Sequence, residues 1–513
     1  MRQKFNYINA GIFAILLLCF VSCKKENDLP GNETEDYSAL YNLPEISLYA
    51  LSGGTVIDKF STSSINTLAN SATITGLQPP ETILAIDCRP ATGQLYGISS
   101  AGRLYVINPM TGEARMIGAG PITPALAGTI AGFDFNPTVD RIRLVTNTGQ
   151  NLRLNPETGA VAVTDMAING VANAMVTGVA YTNNKAGAAT TTLYDIDVTT
   201  KKLYKQVPPN DGTLVEVGSL MLDIEGEGGF DIAPKDSIAI GLYKIKNIPT
   251  LFKVNLSTGE AKKLAKFNSA KNYTGIAIQT DAVAYAVCLT NDLYIFNPST
   301  PSMFVKKPIT GLASGEKVLG LDFRPLNGQL YALTSTSRII TLNASSGVSA
   351  VVGTLSTPIS GTSFGFDFNP VVDRIRIVSN TGQNLRYNPN DPLAAVLVDG
   401  NLNPGSPVVT AAAYANNFAG ATTTMLFDID VNTDKLYLQN PPNSGGLVEV
   451  GSLGVNAEVC SGFDIGGNSG MAWAILSVNG KGKLFTINTT TGAATEKADF
   501  VTVVNGFTVG LGF

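Results

Sequence analysis

The sequence predicts an all-β protein made of two tandem five-bladed β-propellers, each closed by its C-terminal strand. A strand motif recurs ten times: a small residue, an apolar residue, Asp or a small residue, and another apolar residue. Its centres are Asp87, Asp134, Ala180, Asp231, Ala277, Asp322, Asp367, Ala413, Asp464 and Gly512. They lie 45 to 51 residues apart, and a spacing of this size with four short strands per repeat is typical of propeller blades.

The residue at the motif centre has its own period of five. It reads Asp, Asp, Ala, Asp, Ala in the first half of the chain and Asp, Asp, Ala, Asp, Gly in the second. Two rings of five blades explain this period. A single ten-bladed ring is the alternative, but propellers usually have four to eight blades, which favours two rings.

An internal duplication supports the same division. GFDFNPTVDRIRLVTNTGQNLRLNP at 132–156 and GFDFNPVVDRIRIVSNTGQNLRYNP at 365–389 are identical at 21 of 25 positions, with an offset of 233 residues. Within the first copy GFDF, DRIRLVT and QNLRLN predict three strands and Asn-Thr-Gly predicts a hairpin turn. GAVAV at 159–163, just after this copy, predicts the fourth strand.

Strands from both ends of each half are expected to pair. After residue 45 the chain enters with ISLYALSG, TVIDKF and ATITG, which are three strands of a blade without its first strand. YTGIAI at 273–278 should complete that blade, and FTVGLGF at the C-terminus should complete the matching blade of the second half. Such closure leaves fewer exposed sheet edges. The predicted propellers therefore span residues 46–279, the first half, and 280–513, the second half.

The N-terminus has the layout of an export signal. Arg2 and Lys4 precede an apolar run over 12–21, which is too short to span a bilayer comfortably. The run ends in Phe-Val-Ser-Cys, which resembles the lipobox of bacterial lipoproteins. The resemblance implies a signal peptide over 1–22, cleavage before Cys23 and lipidation of that cysteine. An ordinary signal peptide with a chance cysteine is the alternative. Residues 23–45 are polar and predict a flexible tether after the lipid.

These features predict an outer-membrane protein of a Gram-negative bacterium, lipid-anchored and either periplasmic or surface-exposed. Lys24 stands where inner-membrane lipoproteins carry an Asp retention signal. The expected partners are the membrane, through the lipid, and a glycan or an envelope protein. The chain has a net charge of −5 and no basic run, which argues against nucleic-acid binding.

The duplicated block resembles a known family. GFDFNPxVDRIRxVxNTGQNLRxNP in both halves, followed by TTTLYDID in the first, is similar to the bacterial domain-of-unknown-function family 4394. The resemblance covers nearly the whole chain after the tether and implies two tandem copies of the domain. The family has no established activity, so no catalytic residue follows from it.

Six aspartates form the first candidate site. The first strand of a blade borders the central channel, so the aspartates of each half are expected to converge there. They are Asp87, Asp134 and Asp231 in the first half, and Asp322, Asp367 and Asp464 in the second. Three carboxylates in a narrow channel repel one another and suit a hard cation such as Ca²⁺. The alternative is that each carboxylate accepts backbone N–H groups of the next blade as a structural clamp. No other cofactor is expected.

A polar cluster in the duplicated block is the second candidate site. Its Arg, Asn and Gln side chains could bind a carboxylate or a sugar. The alternative is that the arginines form structural ion pairs between blades. The residues are Asp140, Arg141, Arg143, Asn147, Gln150, Asn151 and Arg153, and their second copies Asp373, Arg374, Arg376, Asn380, Gln383, Asn384 and Arg386.

The absence of histidine narrows the chemistry. Ser-His-Asp and Cys-His catalysis are excluded, and no acid pair is marked for glycoside hydrolysis. Asp195 with Asp197, and Asp428 with Asp430, are interpreted as residues at strand ends and turns, while Glu216 and Glu449 are expected on solvated outer strands. Cys88, Cys288 and Cys460 are interpreted as small core residues.

The predicted function is therefore a membrane-anchored extracytoplasmic binding or scaffolding lipoprotein of unknown ligand. The alternative is a histidine-free, carboxylate-dependent hydrolase or lyase acting on polysaccharide. The residues favour a binding protein over an enzyme, and no catalytic residue is assigned. An enzyme requires a cleft with two acids about 5–10 Å apart.

Overall fold

Ten antiparallel sheets of four strands each make up the described part of the chain. The structure is a computed structural model that describes residues 37–235 and 237–513. The strands are short, usually four to seven residues, as expected for a chain with 52 glycines and many tight turns. The predicted all-β fold class is confirmed.

The strands of the first half run in chain order from β1 to β20. They are β1 (Ser47–Ser52), β2 (Val56–Ser61), β3 (Asn70–Thr73), β4 (Ile83–Cys88), β5 (Leu95–Ser99), β6 (Leu104–Ile107), β7 (Ala114–Ile117), β8 (Ala131–Asn136), β9 (Arg141–Thr146), β10 (Asn151–Leu154), β11 (Val161–Thr164), β12 (Val176–Tyr181), β13 (Leu193–Asp197), β14 (Lys202–Gln206), β15 (Leu214–Ser219), β16 (Ile224–Ile232), β17 (Ala239–Ile245), β18 (Ile248–Val254), β19 (Ala261–Lys266) and β20 (Tyr273–Ile278).

The second half contributes β21 to β40 in the same pattern. They are β21 (Ala284–Val287), β22 (Asp292–Phe296), β23 (Phe304–Pro308), β24 (Val318–Phe323), β25 (Leu330–Thr334), β26 (Arg338–Leu342), β27 (Ser349–Thr354), β28 (Phe364–Asn369), β29 (Arg374–Ser379), β30 (Asn384–Tyr387), β31 (Leu397–Val398), β32 (Val409–Tyr414), β33 (Leu426–Asp430), β34 (Lys435–Gln439), β35 (Leu447–Ser452), β36 (Val459–Ile465), β37 (Ala472–Val478), β38 (Lys481–Ile487), β39 (Ala494–Asp499) and β40 (Gly506–Val509). Four short 3₁₀ helices lie at Ser38–Asn42, Thr62–Ser64, Pro209–Asp211 and Pro442–Ser444.

Eight sheets use four consecutive strands, and two sheets join distant parts of the chain. β20 pairs with β1, so the last strand of the first half completes the sheet of β1, β2 and β3. β40 pairs with β21 in the same way and completes the sheet of β21, β22 and β23. These are the pairings that the sequence predicts for YTGIAI and FTVGLGF.

One strand of each sheet, here called its inner strand, contacts the inner strands of two other sheets. In the first half β4, β8, β12, β16 and β20 contact one another in this order, and β20 also contacts β4. In the second half β24, β28, β32, β36 and β40 do the same, with β40 against β24. The inner strands therefore form two closed cycles, each of five strands.

The small residue of the motif allows the inner strands to approach closely. A Cβ on Gly229 would lie 2.2 Å from the backbone nitrogen of Ile276, and one on Gly365 would lie 2.6 Å from that of Ala412. Neither distance is sterically accessible. The motif therefore has a small residue where neighbouring inner strands touch.

The structure moves the tenth motif centre from Gly512 to Thr508. Thr508 pairs with Tyr285 in β21, just as Ala277, the centre of the fifth motif, pairs with Tyr49 in β1. Gly512 lies beyond the end of β40. Gly-Phe-Thr-Val and Gly-Leu-Gly-Phe both fit the small–apolar pattern, and only the pairing of β40 distinguishes them.

Residues 37–513 form one compact unit in which the two halves meet through turns. Two backbone carbonyls of the turn after β4 accept hydrogen bonds from the second half. The Ala91 carbonyl accepts from the Tyr285 hydroxyl at 2.9 Å, and the Thr92 carbonyl accepts from the Gly512 N–H at 2.7 Å. Arg89 in this turn donates to the Gly328 carbonyl of the second half at 2.9 Å. The halves are therefore joined by both backbone and charged contacts.

Part of the N-terminal prediction lies outside the described residues. The signal peptide, Cys23 and the tether to residue 36 belong to that part. Residues 38–42, assigned to the tether, form a 3₁₀ helix that contacts β19, and Ala39, Leu40 and Leu43 pack against the core of this part of the chain. The apolar residues of this stretch explain why it packs. Among the described residues, no helix has the length and apolar content needed to cross a membrane.

Candidate functional site

The predicted aspartates do converge, in two groups of three. In each group one carboxylate oxygen per residue lies within 4.8 Å of the others. The groups are Asp87, Asp134 and Asp231, and Asp322, Asp367 and Asp464. All six side chains are at most 1% exposed. We call these groups the first and second Asp triads.

Every triad carboxylate also accepts a hydrogen bond from the next inner strand. The donor is always the backbone N–H of the residue directly after the next motif centre. The donors are Phe135 for Asp87 (2.8 Å), Tyr181 for Asp134 (3.1 Å), Ile278 for Asp231 (2.5 Å), Phe368 for Asp322 (2.8 Å), Tyr414 for Asp367 (3.0 Å) and Val509 for Asp464 (2.7 Å). Inner strands lie at sheet edges, where buried N–H groups need acceptors. Each aspartate therefore makes the backbone contact that the clamp alternative predicts.

The clamp does not remove the repulsion within a triad. Burial, followed by the charge of Asp231, raises the pKa of Asp87 well above its ordinary value. Burial and then the charges of Asp87 and Asp231 raise that of Asp134 similarly, and burial raises the pKa of Asp231 to about 7. The first triad is therefore unstable as three bare carboxylates near neutral pH.

The second triad contains an additional hydroxyl group. Thr508 Oγ1 lies 2.9 Å from Asp322 Oδ1 and 2.8 Å from Asp464 Oδ2, where the first half has Ala277. Burial, then the charge of Asp464, raises the pKa of Asp322 well above its usual range, and burial raises the pKa of Asp464 to about 6. Burial, then the charges of Asp322 and Asp464, raises the pKa of Asp367 well above its usual range.

The polar cluster of the duplicated block is occupied by internal bonds. Arg143, 2% exposed, donates to the Asp165 carboxylate at 2.6 Å, to Asn151 Oδ1 at 2.7 Å, to Asn210 Oδ1 at 2.9 Å and to the Tyr181 hydroxyl at 3.3 Å. Each of its nitrogen atoms is therefore used. This geometry matches the structural alternative and leaves no free fork for a ligand.

The remaining residues of this cluster also bond within the chain. Arg153 binds Asp165 through two 2.8 Å bonds, and Arg141 donates to the Asp140 carbonyl at 2.8 Å. Asn147 accepts two backbone N–H groups, and Gln150 bonds to two backbone groups of the preceding loop.

The second copy repeats these contacts almost atom for atom. Arg376 donates to Asp399, Asn384, Asn443 and Tyr414. Arg386 binds Asp399, Arg374 donates to two backbone carbonyls, and Asp373 accepts from Arg324. Asn380 and Gln383 bond to backbone groups. The predicted ligand cluster is therefore a structural network in both halves.

The sequence missed the acid partners of these arginines. Asp165 and Asp399 lie 22 and 23 residues after the arginines that they bind. The available signal was a lone acid at the end of the fourth strand of each duplicated block. Asn210 and Asn443 come from the next sheet, so no local pattern indicates them.

Asp195 and Asp428 are not turn residues, which corrects that interpretation. Both side chains are fully buried, and neither carboxyl oxygen of either residue has a hydrogen-bond partner. Burial raises the pKa of each to about 8, against the opposing charge of Arg143 or Arg376.

Asp197 fits the turn interpretation. Its carboxylate accepts the N–H groups of Met175 (3.0 Å) and Thr199 (2.8 Å) and the Thr200 hydroxyl (2.9 Å). Asp430 accepts backbone N–H groups in the same way. Glu216 and Glu449 are about half exposed, as expected. Cys88 and Cys288 are buried free thiols.

A groove of about 810 Å³ lies between two sheets of the second half. One wall is the sheet of β21, β22, β23 and β40, and the other is the sheet of β36 to β39. Its charged and aromatic lining residues are Asp292, Tyr294, Lys306, Lys481, Asp499 and Phe500. The sequence predicted none of these as site residues, because they come from five separate strands and turns.

The matching place in the first half holds an internal ion pair. Asp58 occupies the strand position of Tyr294, since Asp58 pairs with Ala50 and Tyr294 pairs with Ala286. The buried Asp58 carboxylate accepts from Lys271 Nζ at 2.7 Å and from the Tyr273 hydroxyl at 2.8 Å. The two halves therefore differ at this sheet.

Ten four-stranded sheets and two copies of one buried triad define a duplicated all-β repeat protein. The chain belongs to the family described as Domain of unknown function (DUF4394), whose model matches residues 56–277 and 292–508. The two matched regions agree with two tandem copies of the domain. No curated protein matches the chain.

Two solved structures show a distant likeness. PorZ, described as an essential bacterial surface component of the type-IX secretion system of Porphyromonas gingivalis, is 12% identical with a TM-score of 0.26; the match covers 87% of this chain and 58% of PorZ. The extracellular domain of the putative hybrid two-component system BT4673 from B. thetaiotaomicron is 10% identical with a TM-score of 0.28, over 89% and 72%. This chain thus spans less than two thirds of PorZ, and such scores do not establish a common fold.

Proposed function

We propose that this protein is a binding or scaffolding protein of the bacterial cell envelope, without catalytic activity. It consists of two five-bladed β-propellers over residues 46–279 and 280–513, and a lipid on Cys23 anchors it to the outer membrane. The two closed cycles of five inner strands support this architecture, and the lipobox-like sequence supports the anchor. A rigid ring with loops at its faces is suited to recognition.

The groove of the second half is the observation on which the binding function rests. Its volume of about 810 Å³ lies within the range of about 300–1,000 Å³ typical of ligand sites. It also lies at a sheet where the two halves differ, whereas the predicted polar clusters are alike and internally bonded. A ligand site confined to one half explains why this sheet differs.

The lining of the groove suits a glycan. Two lysines and two aspartates give it balanced charge, with donors and acceptors for hydroxyl groups. Tyr294 and Phe500, which are 7% and 5% exposed, lie at its base with their ring centroids 5.9 Å apart. We infer that a neutral or zwitterionic envelope glycan binds between the two sheets.

Binding should depend on Lys306 and Lys481. We expect the wild-type chain to retain fragments of envelope polysaccharide on a glycan array. Lys481→Ala and Lys306→Ala should each weaken the strongest hit by about tenfold in calorimetry, since a lost charge-assisted bond costs roughly 1.5–3 kcal/mol. Lys435→Ala is the matched control, because Lys435 forms an exposed pair with Glu449. Equal affinity in all variants would place the ligand elsewhere.

The enzyme alternative meets a specific obstacle in the same groove. The Thr290 hydroxyl and then Lys306 lower the pKa of Asp292, so this carboxylate is ionised. Asp499 is 70% exposed and lies 3.8 Å from Lys483, without the burial that a catalytic acid requires. Release of reducing ends from polysaccharide, abolished by Asp292→Asn, would replace the binding proposal with a hydrolase.

The lipid anchor has its own test. Cys23→Ser should abolish incorporation of labelled palmitate and release the protein from membranes, because two or more acyl chains are needed for stable anchoring. Cys19→Ser, four residues earlier in the same apolar segment, is the matched control and should keep the label. Membrane retention of the Cys23→Ser protein without label would overturn the anchor.

A further inference from the structure

We propose that each Asp triad, together with a buried asparagine, binds one divalent cation of the Ca²⁺ class. The asparagines are Asn417, which lies beside Asp464 in the second half, and Asn184, which holds the equivalent sequence position in the first half. The inference concerns the centre of each half and is independent of the groove. It gives the chain two equivalent cation sites.

The spacing of the carboxylate oxygens suits such an ion. Ca²⁺ binds oxygen ligands at about 2.3–2.6 Å, so two ligands on opposite sides of the ion are separated by about 4.8 Å. One oxygen from each aspartate of a triad lies within 4.8 Å of the other two. The backbone bonds described above do not exclude this role, since a carboxylate oxygen has a second lone pair.

Unpartnered buried amides provide independent evidence for a ligand. Asn417 is 1% exposed and its side chain lies within hydrogen-bonding reach of the Asp464 carboxyl group. Its amide oxygen and nitrogen nevertheless make no hydrogen bond of ordinary geometry. Asn184, at the duplication offset of 233 residues, is fully buried and equally unpartnered. Buried amides without partners are costly, and an amide oxygen is a ligand that Ca²⁺ accepts.

An unused carboxylate oxygen points to the same ligand. Asp134 Oδ1 accepts from the Tyr181 N–H at 3.1 Å, but Asp134 Oδ2 is buried and has no partner. One oxygen of Asp134 lies within 4.8 Å of oxygens from both Asp87 and Asp231. A bound cation would satisfy the free oxygen and offset the repulsion among the three charges.

The two carboxylates that contact the Thr508 hydroxyl in the second triad also require an additional proton or a cation. Thr508 Oγ1 is within 2.9 Å of oxygens from both Asp322 and Asp464. A hydroxyl has one proton, so it can donate to only one of these carboxylates. The other contact requires either a protonated acid or a cation that holds both oxygens together.

The adjacent cavities admit an ion and exclude larger ligands. In each half a cavity is lined by the residues of the inner strands that directly precede the five motif centres. The space open to the centre of a water molecule is about 10 Å³ in each, close to the minimum for one water. A sugar or peptide does not fit there.

Metal analysis of the purified full chain tests the proposal directly. We expect about two equivalents of bound divalent cation after purification in Ca²⁺. Refolding with EDTA should give a lower melting temperature, which Ca²⁺ alone restores. Refolding is needed because the fully buried sites exchange slowly. If no metal copurifies and Ca²⁺ leaves the melting temperature unchanged, the triads share protons and the proposal fails.

The single tryptophan allows metal binding at the two sites to be distinguished. Trp473 lies directly opposite Asp464 on the paired strand, so Tb³⁺ in the second triad should give tryptophan-sensitised luminescence. Asp367→Asn should abolish this signal and leave one equivalent of metal. Asp134→Asn, the matched change in the first half, should also leave one equivalent but keep the signal.

The asparagine variants retain the backbone contact, which keeps this test informative. Asn can accept the Tyr181 or Tyr414 N–H as the aspartate does. Loss of a ligand should weaken Ca²⁺ binding at that site by at least about tenfold. A purely structural triad predicts the opposite sign, since each variant would remove one repelling carboxylate and raise the melting temperature in EDTA and Ca²⁺ alike. That result would overturn the cation sites.

Discussion

Arg89→Met is expected to destabilise the folded chain by about 3–5 kcal/mol. The Arg89 guanidinium is fully buried and donates to Asp140 at 2.9 and 2.5 Å and to Glu157 at 2.6 Å. Methionine fills similar space but leaves the buried Asp140 carboxylate without its cation, and Glu157 with only Arg141 at 4.0 Å. It also removes the 2.9 Å bond to the Gly328 carbonyl, which joins the two halves. Urea denaturation followed by circular dichroism measures the loss.

The second half offers a matched control for Arg89. Arg324 occupies the same turn one duplication later, and its partners are Asp373 and Asn390. The Asp373 side chain is 21% exposed, so water can solvate it when the arginine is removed. Arg324→Met should therefore cost clearly less than Arg89→Met. Equal losses, or a loss below about 1 kcal/mol for Arg89→Met, would contradict a buried ion pair that stabilises the junction.

The repeat pattern predicted the general fold because its physical cause is local. A small residue marks the contact between inner strands, and the apolar residues beside it enter the core, so the motif could be counted along the chain. The convergence of the aspartates followed from their shared position on the inner strands. The all-β fold, the sheet number and the family are confirmed.

The errors arose where distant parts of the chain decide the outcome. Asp195 and Asp197 are two residues apart on one strand face and both are fully buried. Asp197 accepts hydrogen bonds from its turn, whereas neither Asp195 oxygen has a partner among the described residues. Thr508 and Gly512 fit the same motif, and only pairing with β21 selects Thr508. Arg89 sits in an ordinary turn sequence, and its role depends on Gly328, 239 residues away.

Asp195→Asn is expected to stabilise the protein, and increasingly so as pH rises. Burial raises the pKa of Asp195 from 3.8 to about 8. Between these values the unfolded chain has released this proton and the folded chain has not. Ionisation therefore favours the unfolded state by up to about 1.4 kcal/mol per pH unit. This penalty is absent below about pH 4 and complete above about pH 8, and an asparagine does not incur it.

The measurement is the free energy of unfolding of wild type and variant, from urea denaturation between pH 4 and pH 8. We expect the two curves to converge at the acidic end and to separate by up to several kcal/mol at the alkaline end. Asp428→Asn should behave in the same way, since the pKa of Asp428 is also raised to about 8.

Asp197→Asn is the matched control on the same strand, and its effect should have the opposite sign. The Asp197 carboxylate accepts three hydrogen bonds in its turn, including one from the Thr200 hydroxyl at 2.9 Å. The amide group can replace only part of these, so we expect a loss of about 1 kcal/mol. If Asp195→Asn also destabilises at pH 8, the Asp195 carboxyl has a partner that stabilises its charge. The buried acid would then be part of a functional network between the two sheets rather than a cost to stability.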